Sequence, residues 1–440
     1  MLLNLTLRNF KIWETTGVIR LAPVTLLLGT NSSGKSSLIQ SLLLIRQTVR
    51  SKEPNVSLHF GVEGTSDSVA LGQFNDVLCR HGSGNEIGIE FMWSPTARRE
   101  DAYSFDSAFK KSTKGAAVVS RLRLGQNDKG FTVTRQATGA FKLAVGSKRN
   151  PLGSRKEFHP QNSFTFSAAT LSKLPPEDAE EIRQVGSVLL DELERIIYLG
   201  PVRQLAQRYY PWDGVPPSTL GDDGNRAIDA LIASGLLARK GKPGGELFEQ
   251  TGYWLTQMGL ATGLDVKKVG TSSLYELIIL AENSRSNIKD VGVGVTQVLP
   301  VIVACLHAPT GHTVIVEEPE SHLHPLAQSI LANLFTKVSR ERKVQIIAET
   351  HSEHLFRRMQ TLIAKETVTS EACALYFIKP VEGRAKLQEL QPNEFGVVVD
   401  WPDKFFGDAI GEAYAQSMAR VTRMTPRQPE TESPDDKPTR

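Results

Sequence analysis

The sequence predicts an α/β fold: a mixed sheet with flanking helices, interrupted by an inserted subdomain. Three observations carry that prediction. Short apolar, β-branched runs alternate with helical patterns at both ends of the chain. Several of these runs end in a glycine-rich or acidic turn. The middle of the chain differs from both ends in charge and in pattern.

A length of 440 residues suits two or three domains at roughly 100–200 residues each. Hydrophobic residues make up 40% and charged residues 22%, which excludes a largely disordered chain, a collagen-like repeat and a coiled-coil rod. Among the longest apolar stretches is VLPVIVACL, Val298 to Leu306, well short of the roughly 20 residues of a membrane-spanning helix. The opening MLLNLTLRNFK lacks the basic start, long apolar core and small-residue cleavage site of a secretory signal. Three widely separated cysteines argue against a disulfide framework or a cysteine-based zinc site, so a reducing cytoplasm is the expectation. The formal net charge of +3 decides nothing about partners, but its distribution is uneven. From Thr96 to Thr165 fourteen Lys and Arg face five Asp and Glu, an excess of nine that leaves the rest of the chain at −6.

Taken in order, PVTLLL (Pro23 to Leu28) is a buried strand, and SSLIQSLLLIRQTV (Ser36 to Val49) is a helix. Between them GTNSSGKS (Gly29 to Ser36) fits G-x-x-x-x-G-K-[ST] at every fixed position. Successive backbone N–H groups in such a loop wrap a phosphate chain, and the helix start adds partial positive charge. Gly29, Asn31, Ser32, Ser33, Gly34, Lys35, Ser36 and Ser37 are therefore expected to bind nucleotide, with Lys35 on the β- and γ-phosphates and the Ser36 hydroxyl on Mg²⁺.

The basic stretch follows, with Phe109, Phe131, Phe141 and Phe158 interleaved among its charges. It suits non-specific, salt-sensitive phosphate contacts with DNA or RNA, or a β-rich subdomain with a solvated face. EDAEEIRQVGSVLLDELERII (Glu177 to Ile197) reads as a helix that stops at Gly200-Pro201. Arg203 and Arg208 lie just beyond, suited to a structural ion pair or to a nucleotide.

LYELIIL, TVIVEE and QIIAET read as further buried strands. In VGVGVTQVLPVIVACL (Val291 to Leu306) a glycine-rich turn opens an apolar helix, a second potential anion site. TVIVEEPESHLHP (Thr313 to Pro325) delivers Glu317 and Glu318 at a strand end, and alternation sends them in different directions. One suits holding Mg²⁺; the other suits orienting or deprotonating an attacking water. QIIAETHSEH (Gln345 to His354) ends at Glu349-Thr350-His351, and His351 is placed to sense a γ-phosphate. His322 and His324 beside Glu320 allow a metal site, although a loop role explains them better. ALYFIK and AKLQELQ form a hairpin, and the proline-rich last stretch reads as a disordered tail.

This order of motifs resembles the ATP-binding cassette ATPases, and within them the SMC, RecF and OLD branch. The opening LTLRNFKIWETTGVIRLAPVTLLLGTNSSGKSSLIQSL is similar to that branch's first hairpin and P-loop, EEPESHLHP to its Walker B and D-loop, and AETHSEHL to its switch-histidine segment. The ending NEFGVVVDWPDKFFGD resembles prokaryotic AAA-type ATPases of this kind with a C-terminal domain of unknown function. The resemblance covers about residues 1–95 and 265–400.

The resemblance implies an ABC-type P-loop head using ATP and Mg²⁺. It puts Glu317 in the Walker B place with Ser36 and Gln73 as further Mg²⁺ contacts, Glu318 in the catalytic place, and His351 as the switch histidine. Gly292, Gly294 and Gln297 would form the signature that completes the partner's site, with Gly292 where a serine is usual and His324 where many cassettes have Asp. It implies residues 1–95 as a first ATPase lobe, 96–265 as an inserted basic and helical subdomain, 266–418 as a second lobe, and 419–440 as the tail. It further implies a homodimer closed by ATP, no membrane partner, and a DNA-linked or phage-defence role beside a separate nuclease or toxin effector. An ATP-locked scaffold with little turnover is the alternative, and a transporter ATPase a more distant one.

Overall fold

The computed structural model describes residues 1–65, 67–96, 98–146, 151–240, 244–399 and 416–420. It begins with β1 (Leu2–Phe10), on which β2 (Trp13–Thr15) and β3 (Ile19–Arg20) fold back antiparallel. β4 (Val24–Gly29) leads through a tight loop into α1 (Lys35–Val49). After the short α2 (Phe74–Val77) come β5 (Glu86–Trp93), β6 (Tyr103–Lys111), β7 (Ala117–Gln126), β8 (Lys129–Arg135), β9 (Phe141–Val145) and β10 (Pro151–Arg155). Next are α3 (Ala168–Leu171), α4 (Pro176–Glu194), β11 (Ile196–Leu199) and β12 (Tyr210–Pro211). Then follow α5 (Ala227–Ala238), α6 (Glu246–Gln257), β13 (Gly263–Lys268), β14 (Leu274–Ala281) and β15 (Ser284–Asn287). The chain continues through α7 (Val293–His307), β16 (Thr313–Glu317), α8 (Pro325–Arg342), β17 (Gln345–Thr350), α9 (Glu353–Ala364), and the hairpin of β18 (Cys373–Val381) with β19 (Arg384–Glu389).

The sheet that positions the site runs β11-β16-β17-β4-β18-β19. Its first five strands are parallel and β19 is antiparallel, so the sheet is mixed. The central strands β4, β16 and β17 are buried along their whole length, as parallel strands covered on both faces must be. Strand order is not chain order: β4 lies between β17 and β18. The carboxyl ends of β4, β16 and β17 therefore converge on one edge, where open α/β sheets bind ligands.

A second, antiparallel sheet joins β1 through β5 and β6 out to β10. α1 lies in the apolar core that these two sheets share. Gln345, only 1% exposed, stitches them together. Its amide oxygen accepts from Leu2 N and the Thr313 hydroxyl, and its amide nitrogen donates to Leu2 O and Ala22 O. A buried side-chain amide is tolerable only when its donors and acceptors are met in this way. Among the described residues, β12 to β15 make a third, small sheet.

Three differences from the sequence expectations have physical reasons. The β5–β6 pairing crosses residue 95, so the basic stretch extends the sheet of β1. The helix expected to run to Ile197 ends at Glu194, because Ile196 and Ile197 pair in parallel with Thr313 and Val314. β-branched residues gain more from that ladder than from another helical turn. LYELIIL, expected as a buried strand, lies in the small third sheet and is buried only at Leu277, Ile278 and Ile279. Residues Met1–Trp401 form one compact unit. The expected tail beyond residue 420, and the NEFGVVVDWPDKFFGD segment beyond Val399, lie outside the described residues.

Candidate functional site

The loop between β4 and α1 is built around two glycines. A Cβ on Gly29 would stand 2.2 Å from the Ile378 carbonyl oxygen, so only glycine lets β18 approach there. Gly34 has φ +106°, and its Cβ would meet the Ile12 methyl at 2.7 Å. The tip of the β1–β2 hairpin braces this point: the indole N–H of Trp13 donates to the Gly34 carbonyl at 3.0 Å. Ser32 also takes a left-handed conformation. Successive amides in such conformations form an anion-binding concavity, and α1 starts directly behind it.

The loop opens on a cavity of about 420 Å³. Asn31, Ser32, Ser33, Gly34, Lys35, Ser36, Ser37, Glu318 and His351 line it together, as do Lys11, Gln40 and Glu349. Gly29 stands at the strand end behind it, where its carbonyl accepts from Lys35 at 3.2 Å. The Lys35 ammonium, 2% exposed, also donates to the Thr30 carbonyl at 2.8 Å. Burial holds its pKa below the ordinary lysine value, with Glu349 opposing. A cation held by carbonyls at the base of an anion cradle is poised for a phosphate.

Glu317 and Glu349 are cross-strand neighbours at the ends of β16 and β17. Glu317 accepts from the Tyr198 hydroxyl at 2.7 Å, and Glu349 accepts from the Ser36 hydroxyl at 3.0 Å. Burial raises the pKa of both, that of Glu349 to about 7. Two buried carboxylates this close share a proton, so they titrate as a pair. The sign follows from the direction of the shift. A carboxyl raised from 4.5 to about 7 stabilises the fold below the lower value, and that contribution is lost as pH rises through the upper one. The loss is bounded at about 3 kcal/mol. Without nucleotide or metal, Glu349→Gln should therefore gain stability relative to wild type from about pH 5 to about pH 8. Calorimetric melting should show the gap widen by a few degrees. A gap independent of pH would remove the shared proton.

Glu318 sits in a left-handed conformation, φ +46°. A non-glycine residue held there costs on the order of 1–3 kcal/mol and persists only where its surroundings impose it. The constraints are visible. Its N–H donates to the Glu349 carbonyl at 2.8 Å, and the Ser321 hydroxyl donates to its carboxylate at 3.0 Å. Arg203, 4% exposed, donates from Nη2 to the Glu317 carbonyl at 2.6 Å and the Glu318 carbonyl at 3.1 Å. Burial lowers its pKa to about 10, against the pull of Glu320, Glu318 and Glu317. The ion pair expected at this region belongs instead to Arg208, bidentate to Asp290 at 2.6 and 2.8 Å.

His351 hydrogen-bonds the Gly29 backbone, and burial followed by the charge of Lys35 keeps its pKa below the ordinary histidine value. It is therefore a neutral ring at pH 7. The backbone N–H of His351 donates to Glu320 Oε1 at 2.6 Å.

Glu317 is buried and does not line the cavity, and four further expected residues lie away from it. Gln73 is exposed, and caps α2 through a reciprocal bond with Asp76, a local role that holds it at that helix. Gly292 is the N-cap of α7, with open space where a side chain would be. Gly294 packs against the loop between β16 and α8: its Cβ would stand 2.7 Å from the His322 carbonyl oxygen. Gln297 is buried one turn into α7. Conversely, sequence reasoning gives no role to Glu349, Tyr198 or Lys11, and considers Glu320 only beside His322 and His324 as a metal site. Only Glu349 had a signal, since TVIVE and QIIAE both end a buried strand on glutamate.

A mixed α/β sheet with a Walker loop, two buried acidic strand ends and a strand-end histidine at one edge defines a P-loop ATPase. In sequence, residues 236–356 match the model of the AAA ATPase domain family, and Glu317, Glu318, Glu349 and His351 fall within the matched residues. No curated protein matches the chain.

Among solved structures, the chain is similar to an Smc head bound to the C-terminal winged-helix domain of ScpA, at 12% identity and a TM-score of 0.47, over 89% of this chain and 97% of that one. It is similar to the SMC head domain of Thermotoga maritima at 12% identity and 0.42, over 88% and 98%. A third is the Smc head with an extended coiled coil bound to the C-terminal domain of ScpA, derived from Pyrococcus furiosus, at 10% and 0.42, over 96% and 99%. These are likenesses of shape; the assignment rests on the motif geometry and the family match. Among the described residues, no helix is long and apolar enough to cross a membrane.

Proposed function

We propose that the chain binds and hydrolyses Mg²⁺-ATP as an ABC-type head and that ATP closes two copies into a dimer. The observation that carries this reading is Glu318, constrained by three neighbours and facing the same cavity as Lys35 and His351. The loop amides and Lys35 would hold the phosphates. Ser36 and Glu317 would hold Mg²⁺, which when bound offsets phosphate charge. The residues fit that cation: the buried Glu349 carboxylate accepts from the Ser36 hydroxyl, with Glu317 beside it on the neighbouring strand. Glu318 would accept a proton from the attacking water, and His351 would contact the γ-phosphate, donating to it only in the protonated state because the neutral ring's one N–H is given to Gly29.

Dimerisation is supported by the position of the signature. Gly292 is exposed and Gly294 is half-buried, and neither lines the cavity of its own chain, so this turn could meet a second copy; Gln297 is buried behind it. The excess positive charge of residues 96–165 supports a DNA-linked role, in phage defence or DNA maintenance with a separate nuclease or toxin effector. Ion pairs such as Lys110–Glu86 and Arg121–Asp106 occupy part of that charge. The open N-cap at Gly292 favours a second reading, an ATP-locked scaffold: no hydroxyl stands there to engage a partner's phosphate.

The test is ATP turnover by the purified chain, with and without double-stranded DNA, while light scattering follows mass. Turnover with ATP-dependent doubling of mass supports the proposal. Tight binding without turnover selects the scaffold, and no binding rejects both.

Arg203 tests the geometry separately. Arg203→Met keeps length and burial but removes the donor to the Glu317 and Glu318 carbonyls. It should lower kcat about tenfold, the equivalent of one lost charged hydrogen bond, with KM for ATP within twofold. A parallel rise in KM would show that Arg203 shapes the nucleotide cavity instead.

A further inference from the structure

We propose that Glu349 is a second carboxylate of the Mg²⁺ site, sharing the cation with Ser36 and Glu317, an assignment that rests on the ATPase reading above. Walker-type reasoning gives the cation one protein carboxylate, that of β16. Here the adjacent parallel strand ends on another, in register with it.

Three observations separate Glu349 from an incidental acidic neighbour. First, the Ser36 hydroxyl, expected on the cation, donates to Glu349 and not to Glu317. Glu317 Oε1 is occupied by Tyr198. Second, Ser36 Oγ and Glu349 Oε1 are 3.0 Å apart. Octahedral Mg²⁺ with ligands at roughly 2.0–2.1 Å sets cis oxygens about 2.9 Å apart, so exchanging the shared hydrogen for the cation asks for little movement. Third, Glu349 is 4% exposed and lines the nucleotide cavity, and apart from the proton it shares with Glu317 its Oε2 meets no donor. A carboxylate buried this deeply is costly unless a positive partner meets it. Lys35 meets it only in part: Nζ is 3.7 Å from Oε1 and closer to two loop carbonyls.

Among the described residues, no group of three or more His, Cys, Asp or Glu is arranged to hold a metal by itself. The remaining ligands must be nucleotide oxygens and water, the usual arrangement for Mg²⁺ in nucleotide sites. The test therefore includes nucleotide.

The experiment titrates Mn²⁺ into full-length protein with saturating ADP, read by electron paramagnetic resonance of the free ion. ADP affinity in EDTA is measured in parallel by fluorescence of a labelled ADP. Wild type, Glu349→Gln and Glu317→Gln are compared. Glu349→Gln should weaken Mn²⁺ binding by about 10–100-fold, with metal-free ADP affinity within threefold of wild type. Glu349→Asp, which keeps the charge and withdraws it by one methylene, should show a smaller loss. That variant also decides the matter if Glu349→Gln does not fold.

Mn²⁺ affinity within threefold of wild type in Glu349→Gln, with Glu317→Gln weakened, would overturn the proposal and leave the ATPase reading intact. Weakened ADP binding in EDTA with unchanged Mn²⁺ affinity would also overturn it, making Glu349 a partner of Lys35 alone. Wild-type protein that binds neither ADP nor Mn²⁺-ADP would overturn both.

Discussion

Lys35→Ala should abolish detectable ATP binding, a loss of at least about 100-fold in affinity, or roughly 3 kcal/mol. The magnitude follows from where the ammonium sits. Lys35 is buried behind the loop and is held by the Gly29 and Thr30 carbonyls, which satisfy its hydrogens but do not neutralise it. A phosphate chain brings the full countercharge at short range and low dielectric, where charge-assisted bonds are strongest. Alanine also leaves the Glu349 carboxylate facing the cavity with no cation beside it, which repels an anion. Isothermal titration with ATP reads the result directly. Unchanged affinity would remove the P-loop from the nucleotide site. A melt of the nucleotide-free variant checks that the fold survives.

Glu318→Gln is expected to bind ATP within threefold of wild type and to hydrolyse it at least 100-fold more slowly. General-base catalysis is typically worth 10²–10⁴-fold, and the amide has no basic oxygen with which to supply it. The substitution keeps the shape, and the Ser321 hydroxyl retains an acceptor. Glutamine should therefore occupy the same left-handed backbone position. If ATP closes two heads and hydrolysis opens them, the variant should accumulate at twice the monomer mass with ATP, while wild type returns to monomer as ATP is consumed. Single-turnover hydrolysis and light scattering measure the two arms. Turnover at the wild-type rate would show that Glu318 is not the base. Slow turnover without a change of mass would keep the base and reject the closed dimer.

Much of the nucleotide edge is legible in the chain because its determinants are local. A glycine-rich loop followed by Lys35-Ser36 needs only its flanking strand and helix to be recognised, and both occur at the expected residues. Glu318 and His351 follow from strands that end at residues set by apolar composition. Gln73, which stands at the N-cap of α2 and does not line the cavity, shows the converse. A glutamine before a short helix carries no local mark that separates a loop over the nucleotide from an N-cap, and the Asp76 carboxylate decides for the cap.

The divided middle was also illegible. Ile196–Leu199 is helical by continuation and a strand by pairing, and the partner, β16, is more than 100 residues away.

By itself, the sequence determined the P-loop, the acidic strand end, the strand-end histidine and the α/β class, because each is a short pattern whose chemistry is intrinsic to its residues. Only the tertiary structure decided which groups share the site. Strand order places Glu349 beside Glu317, the β1–β2 hairpin carries Lys11 and Trp13 to the loop, and the segment after β11 brings Arg203 beneath Glu318. Register across parallel strands and burial of a distant arginine are set by packing of the whole sheet, and no window of the chain encodes them locally.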